Sequence, residues 1–263
     1  PTLPIIDKGQ WAFGIEYAYE NIDLEADGRC VESIVEGPSR SYHQEFTIDS
    51  MKTNMLFGRI EYALCKDWEV FVRLGASDAD ADIEADDPGF VLQSGGKVGF
   101  DGSYGFAGGL GTRATLFQDG PWRIEGQAQV TWLDPDDSDF RIANPESTGE
   151  YVSGSAKLDY MQAQVGLTAV YRADIWSVWA GPFVQFIDGD LDLDANYVVG
   201  NEYGAVSGCS VDIEESSQLG LSIGADCEVN RHLIAWVEGQ ITGDSWLISI
   251  GGILHPDQLV GGW

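Results

Sequence analysis

The feature that most constrains the fold of this chain is a strictly alternating segment that recurs along it. From Trp122 to Trp132 every second residue is apolar or glycine, and the residues between them are polar or charged. In the segment 106–116 one row is mostly apolar and the other carries small residues with Arg113 and Thr115, and Asp119 and Gly120 lie in the link between the two segments. An Asp-Gly pair is a strong signal for a tight hairpin turn. Because strand side chains point alternately to opposite faces, the stretch predicts a β-hairpin with one apolar face.

Hairpins of this kind follow one another through the whole chain. Trp11, Trp68, Trp122 and Trp176 each begin an alternating segment and recur at intervals of 54 to 57 residues, and Leu233 begins a corresponding segment. A regular recurrence of two strands and their connections indicates a repeated structural unit rather than separate folds. No linker rich in Pro or Ser divides the chain, so residues 1–263 are predicted to form one domain.

The alternating segments predict about ten strands whose connections are short and long in turn. Long loops are expected after about Glu25, from Asp78 to Ser103, and from Asp134 to about Ser155, with a fourth reaching Ser216. The last outer link, at residues 243–244, is short, and the tenth strand is expected over about 245–254. The fold class is therefore all-β, a single up-and-down antiparallel barrel with both termini at the end that carries the short turns.

Composition argues against nucleic acid as a partner and is compatible with a membrane protein built from β-strands. The formal charge is −29, from 43 acidic and 14 basic residues, which argues against nucleic acid and fits a surface that repels itself or collects divalent cations. The sequence has no run of about 18 apolar residues that would form a membrane-spanning helix. A spanning β-strand needs only about 9–11 alternating residues. The 33 glycines include many inside strands, where they need a reason such as close packing or barrel curvature.

The apolar face is predicted to point outward to lipid. The short turns fall at one end and nearly all long loops at the other, as in transmembrane barrels. Aromatic residues fall at two heights about 25 Å apart, which matches the two edges of a bilayer's apolar core. Beyond the upper height the outward row becomes acidic while the inward row becomes apolar. The alternative is a soluble lipocalin-like barrel whose apolar face is its core. The girdle residues are Trp11, Trp68, Trp122 and Trp176 at the lower edge, and Tyr19, Trp132 and Phe186 at the upper edge.

The four recurring tryptophans and the alternation of short turns with long loops resemble a Gram-negative outer-membrane β-barrel of the ten-stranded size. The resemblance implies a bacterial outer-membrane location, with the long loops outward and the termini periplasmic. It also implies contact with membrane lipid and lipopolysaccharide, and leaves other outer-membrane or surface proteins as candidate partners. Such barrels usually end in an aromatic residue on the last strand. Here Trp263 lies beyond Pro256, which departs from that pattern.

The face opposite the lipid carries small residues and charges of both signs, which suits a narrow lumen. One interpretation is a pore lining that prefers cations if it is open. The other is a set of ion pairs that satisfy one another and fill the barrel. The predicted lumen charge network comprises Glu16, Glu20, Arg59, Glu61, Glu69, Arg73, Arg113, Arg123, Glu125 and Glu238.

Two acidic runs are candidate weak sites for Ca²⁺ or Mg²⁺, and no other cofactor is expected. Neither run has the glycine that an EF-hand loop requires, so a solvated acidic surface is the alternative. The candidate ligands are Asp78, Asp80 and Asp82 in one run, and Asp188, Asp190, Asp192 and Asp194 in the other.

The cysteines and histidines give weaker signals. Cys30 and Cys209 are expected in long loops, as a disulfide or as free thiols. Ten-stranded outer-membrane proteases need a histidine beside carboxylates at the outer rim, and His43 is the one histidine expected in an outer loop. No nucleophile, zinc-protease or phosphate-loop motif occurs, so an enzyme is not expected.

The expected function is a narrow porin-like channel or a structural surface protein. The alternative is an adhesin or partner-binding barrel that acts through long acidic extracellular loops.

Overall fold

The protein is a barrel of long antiparallel strands. The computed structural model describes residues 8–34, 38–85, 97–143, 151–199 and 202–255, so Pro256 and Trp263 lie outside the described residues. Among the described residues, no helix has the length and apolar character needed to cross a membrane. These ranges contain eleven strands: β1 (Trp11–Ile34), β2 (Arg40–Cys65), β3 (Trp68–Ala85), β4 (Lys97–Asp119), β5 (Trp122–Asp134), β6 (Ser138–Ala143), β7 (Tyr151–Arg172), β8 (Trp176–Val199), β9 (Glu202–Asn230), β10 (Leu233–Ile241) and β11 (Ser245–Leu254).

The sheet closes on itself. Consecutive strands pair side by side, and the pairings of β1 with β11 and of β5 with β7 complete the ring. β6 follows β5 after a break at residues 135–137 and pairs with β7, so the two share one position in the ring. Pro135 lies in that break, where a residue without an N–H cannot continue a ladder of hydrogen bonds. The predicted ten-stranded up-and-down barrel is confirmed.

The prediction of long outer loops is wrong over most of their length. β1 continues to Ile34, β3 to Ala85 and β8 to Val199, and the strands that return begin at Arg40, Lys97, Tyr151 and Glu202. Period-two alternation persists through these segments, with apolar residues turned inward and acids outward. The segments therefore bury a core of their own and remain strands instead of becoming loops.

Seven of the eleven described strands are about twice as long as a membrane requires. β1 has 24 residues. At about 3.3 Å per residue and a tilt of about 40°, such a strand rises about 60 Å, against an apolar band about 25 Å tall. The barrel therefore has a membrane part, which follows the short turns, and an extramembrane part of similar height.

The interior of the extramembrane part is a dry apolar core. It is built from inward side chains of eight strands and includes large residues with almost no exposed surface. Its members include Ile22, Leu24, Phe46, Ile48, Met51, Ile83, Phe100, Leu133, Leu158, Leu191, Val211 and Ile213. Their burial removes apolar surface from water, which stabilises this part by about 25 cal/mol for each Å² buried.

One bulge keeps β2 in phase with that core. Ser50 has a φ of 50°, in the left-handed region, and its N–H donates to the Asp23 carboxylate over 2.7 Å. At this point the pairing register of β2 shifts against both of its neighbours, β1 and β3. The extra residue lets Ile48 and Met51 both point inward.

A different pair of strands closes the extramembrane part. β10 and β11 are short, and above them β1 pairs directly with β9, from Ala26–Ile213 to Ile34–Gly204. Cys30 on β1 and Cys209 on β9 form a disulfide across this seam, which decides between the two states left open by the sequence. The remaining two cysteines, Cys65 and Cys227, are free and exposed.

Candidate functional site

The outer face of the membrane part is an apolar belt. Large apolar side chains along the lower halves of the strands are exposed rather than buried, including Ile15, Leu74, Leu110 and Leu221. The four recurring tryptophans, Trp11, Trp68, Trp122 and Trp176, point outward beside the short turns and are 44% to 54% exposed. Trp132 and Phe186 are exposed, and Tyr19 is partly exposed, at the opposite edge of the belt. In water a belt of this size would aggregate, whereas in lipid it is the expected exterior of a spanning barrel.

The girdles contain three aromatic residues that the sequence analysis did not assign to them. Tyr62 lies opposite Trp11 on the neighbouring strand, with ring centroids 4.5 Å apart, and Tyr171 lies opposite Trp122 at 5.0 Å. Trp246 lies 5.3 Å from Tyr19 at the upper edge. A signal was available for the two tyrosines, since each lies in the outward row of its own strand close to a short turn, whereas its pairing with a tryptophan depends on cross-strand register.

The lumen of the membrane part is filled by an Arg–Glu network. The Arg59 guanidinium donates to Glu61 at 2.6 Å and to Glu16 at 3.3 Å. Arg73 donates to the other oxygen of Glu16 at 2.9 Å and to the Thr131 hydroxyl at 2.6 Å. The Glu16 carboxylate therefore joins two arginines, and all these charged side chains are buried. Removing one partner from such a network leaves an uncompensated buried charge.

Two further pairs lie in the network. Arg113 donates to Glu69, and both side chains are fully enclosed. Arg123 lies 3.1 Å from Glu125. Each of the four predicted lumen arginines is thus within ion-pair distance of at least one of the predicted glutamates.

The remaining predicted lumen acids belong to a chain of glutamines that crosses the barrel. Gln129 donates to Gln164 at 2.7 Å, Gln164 to Gln240 at 2.8 Å, and Gln240 to Glu238 at 2.7 Å. Gln162 donates to Glu20 at 2.8 Å. The carboxyl oxygens of Glu238 and Glu20 accept these bonds and thereby orient the amides that point toward them. Gln129 lies in the polar row of the segment 122–132, but alternation alone does not identify the partner of a glutamine.

Open space in this layer is small. A cavity of about 40 Å³ lies between the glutamines, Glu16, Glu20, Arg73 and Glu238. That volume holds only a few water molecules. Below it, Trp179 and Trp236 turn inward and form an apolar floor with Ile234 and Ile253.

Lumen glycines make room for those aromatic rings. A side chain at Gly224 would collide with the Trp179 ring, and one at Gly251 would meet the Trp236 ring at 2.7 Å. Gly111 and Gly220 lie in the same relation to Phe71 and Phe183. Close packing of rings over glycine is therefore the reason for many of the glycines inside strands.

The predicted acidic runs lie on the outer face of the extramembrane part, on two separated arcs. Asp80 and Asp82 are exposed on β3, beside Asp101 of β4 and Asp49 of β2. Asp78 is partly exposed and accepts the backbone and side-chain N–H groups of Asn54, each at 2.9 Å. The arc on β8 carries Asp188, Asp190, Asp192 and Asp194, all exposed. β4, β5 and β7 separate β3 from β8, so the two runs do not form one cluster.

Carboxylates from five adjacent strands lie in register beside Asp190. The row, from β7 through β8, β9 and β1 to β2, consists of Asp159, Asp190, Asp212, Asp27 and Glu45. Like charges directly opposite each other destabilise a sheet. Partial burial, and then the charges of Asp159, Asp212, Asp192 and Asp188, raise the pKa of Asp190 above its ordinary value.

His43 lies in this outer wall and not in a loop. Its Nε2 is 2.8 Å from an Asp27 carboxylate oxygen, and Glu45 is close to both residues. All three side chains are exposed. The expected loop position of His43 is therefore wrong, and strand register determines its neighbours.

Comparison with known proteins finds no matching family model and no matching curated protein. Among solved structures, the outer membrane protein OprG from Pseudomonas aeruginosa is 15% identical over 95% of this chain and 98% of that chain, with a TM-score of 0.48. The β domain of the Bordetella autotransporter BrkA is 15% identical over 95% and 100%, with a TM-score of 0.42. The Escherichia coli outer membrane protease OmpT is 10% identical over 91% and 94%, with a TM-score of 0.40.

The closed ring, the lipid-facing belt and the two aromatic girdles define the class of this protein. It has the fold of an outer-membrane β-barrel, as the sequence predicted.

Proposed function

We propose that this barrel does not conduct solutes and instead anchors a rigid acidic wall at the cell surface, where the wall binds partners. The observation that carries the proposal is the apolar core inside the extramembrane part. Hydrated ions do not cross a packed apolar core, because leaving water costs an isolated charge many kcal/mol. Within the described residues, the aromatic floor and the charged network add two further obstructions below that core.

The proposed orientation places the extramembrane part outside the cell and the short turns in the periplasm. Its support is the difference in length between the two ends, since barrels of this class have short periplasmic turns and longer extracellular segments. Cys65 and Cys227 are exposed at the short-turn end and provide a direct test. A thiol reagent that cannot cross the outer membrane should label them in lysed cells and not in intact cells.

Single-channel recording in planar bilayers tests the proposed closure. The purified chain should give no steady current under conditions in which a known porin conducts. The matched variant replaces core residues Leu191 and Leu158, both with almost no exposed surface, by alanine. It should fold, as judged by altered gel migration of the unheated protein, and still not conduct. A stable cation-selective current from the unmodified chain would restore the porin-like alternative.

The wall is proposed to act through its charge. Its exposed acids greatly outnumber its exposed Arg and Lys residues among the described residues. Such a surface attracts cationic protein segments and divalent ions, including those that bridge it to lipopolysaccharide phosphates. Binding of a polycationic peptide should weaken steeply with salt. Equal binding at low and high ionic strength would contradict an electrostatic surface.

The two predicted aspartate runs remain the proposed weak Ca²⁺ or Mg²⁺ sites. Relief of repulsion should raise the melting temperature in millimolar Ca²⁺ above that in a Na⁺ control of equal ionic strength. Substitution of the four β8 aspartates by asparagine should remove the difference. Equal melting of the unmodified chain in both salts would leave only a solvated acidic surface.

A further inference from the structure

One cluster on the outer wall contains nitrogen as well as oxygen ligands. A nitrogen of His43 and carboxylate oxygens of Asp27 and Glu45 all lie within 4.8 Å of one another. The three residues lie on β1 and β2, well above the lipid belt. They differ from the aspartate runs because the cluster includes an imidazole.

Strand register holds these groups together. Asp27 is directly opposite Glu45, and His43 is opposite Arg29 two pairs further along, which is the next pair on the same face. Side chains in such positions on one face of an antiparallel pair are close enough to share a ligand. The His43 Nε2 to Asp27 Oδ1 distance is 2.8 Å. Two ligands that each lie about 2.0–2.2 Å from one ion are separated by about 3 Å, so little rearrangement is needed to admit a metal.

A third carboxylate and a disulfide lie beside the same cluster. Asp212 on β9 is directly opposite Asp27 on the side away from Glu45. The Cys30–Cys209 disulfide joins β1 to β9 three residues from Asp27 and three from Asp212. Glu25, Asp27, Glu45 and Asp212 line one hollow together with a single guanidinium, that of Arg29, so the local charge is negative. The site is therefore anchored on three paired strands rather than on a loop.

We propose that Asp27, His43 and Glu45, with Asp212 beside them, bind a divalent first-row transition metal ion such as Zn²⁺. The imidazole determines this choice, because nitrogen ligands favour Zn²⁺ and its neighbours over Ca²⁺ and Mg²⁺. Solvent completes the coordination, since all three principal side chains are exposed. The site would give the acidic wall a metal-dependent contact point for a partner that supplies further ligands.

Equilibrium dialysis of the untagged chain in detergent against Zn²⁺, in millimolar Ca²⁺, tests the proposal. The chain should carry Cys65→Ser and Cys227→Ser, because exposed thiols bind zinc independently. A single Zn²⁺ should bind per chain despite the Ca²⁺. His43→Gln should raise the Kd by at least about tenfold, since even loss of a supporting group costs about 10- to 100-fold. Co²⁺ in place of Zn²⁺ should give a visible absorption band that His43→Gln removes.

Two matched variants make the result specific. Asp139→Asn removes an exposed acid of β6 away from the cluster, and His232→Gln removes a histidine at the short-turn end. Both should leave Zn²⁺ affinity unchanged. Equal affinity of the unmodified and His43→Gln chains would overturn the proposal. So would complete displacement by Ca²⁺, or an equal loss in Asp139→Asn, because either would indicate only a diffuse acidic surface.

Discussion

At the scale of single residues, the ion pairs of the lumen differ in how far their charged side chains are buried. Arg113 and Glu69 are fully enclosed, whereas Arg172 and Glu228, which pair at 2.6 Å, keep 40% and 33% of their side chains exposed. The two pairs have the same chemistry and differ in access to water. An enclosed partner left alone cannot be solvated, while an exposed one can.

Arg113→Ala is therefore expected to destabilise the barrel by about 3–5 kcal/mol, because it leaves Glu69 buried without its ion partner. Arg172→Ala should cost only about 0–1 kcal/mol. Urea unfolding of barrels inserted in lipid vesicles, followed by tryptophan fluorescence, measures both. Similar losses for the two variants would contradict the difference in burial.

Glycine substitutions test the packing of the lumen rings. Alanine at Gly224 would press on the Trp179 ring and approach the Val237 carbonyl oxygen to 2.7 Å. Overpacking of this kind is expected to cost about 1–3 kcal/mol. Gly58→Ala is the control, since its nearest neighbour is the Leu74 carbonyl oxygen at 3.7 Å. The same unfolding assay should show little change for the control and a clear loss for Gly224→Ala.

At the scale of elements, β1 changes partner along its length. Its lower part pairs with β11 and its upper part with β9, and the disulfide lies on the upper pairing. The link joins residues 179 apart in sequence, so it removes much conformational freedom from the unfolded chain.

Replacing Cys30 and Cys209 by alanine is expected to cost up to about 5 kcal/mol, following the chain-entropy estimate for a long loop. The loss should be local as well as global. Hydrogen exchange should rise in residues 26–34 and 204–213 and stay unchanged in the girdle strands. The Cys65→Ala, Cys227→Ala variant is the control. Uniformly faster exchange around the whole barrel would mean that the seam is not a separate unit.

At the scale of the whole molecule, the barrel wall reverses which of its faces is apolar between the membrane part and the extramembrane part. The membrane part is apolar outside and charged inside, and the extramembrane part is acidic outside and apolar inside. The acidic exterior makes stability depend on pH. Because burial and neighbouring acids raise the pKa of Asp190 in the folded state, folding favours its protonated form. The resulting stabilisation is complete below the ordinary aspartate pKa and is lost as pH rises through the raised value.

Asp190→Asn is therefore expected to raise the melting temperature at pH 7 and to lose that advantage near pH 3, where the wild-type carboxyl is already protonated. Thermal scans of the two proteins across this range measure the difference. Asp174→Asn, in a short turn far from the row, is the control. A constant advantage at all pH values would show that charge is not its cause.

The sequence by itself determined the membrane part. Alternation fixes which face is apolar, the interval between tryptophans fixes the hairpin length, and lipid requires that face outward. The inward positions of Arg59, Arg73, Arg113 and Arg123 follow from the same parity. Only the tertiary structure decided what lies above the lipid. Whether an acidic segment is a loop or a strand depends on whether its alternate apolar residues meet a core, and that core comes from strands distant in sequence. The Cys30–Cys209 link, the His43–Asp27 contact and the glutamine chain depend on cross-strand register, which no local pattern specifies.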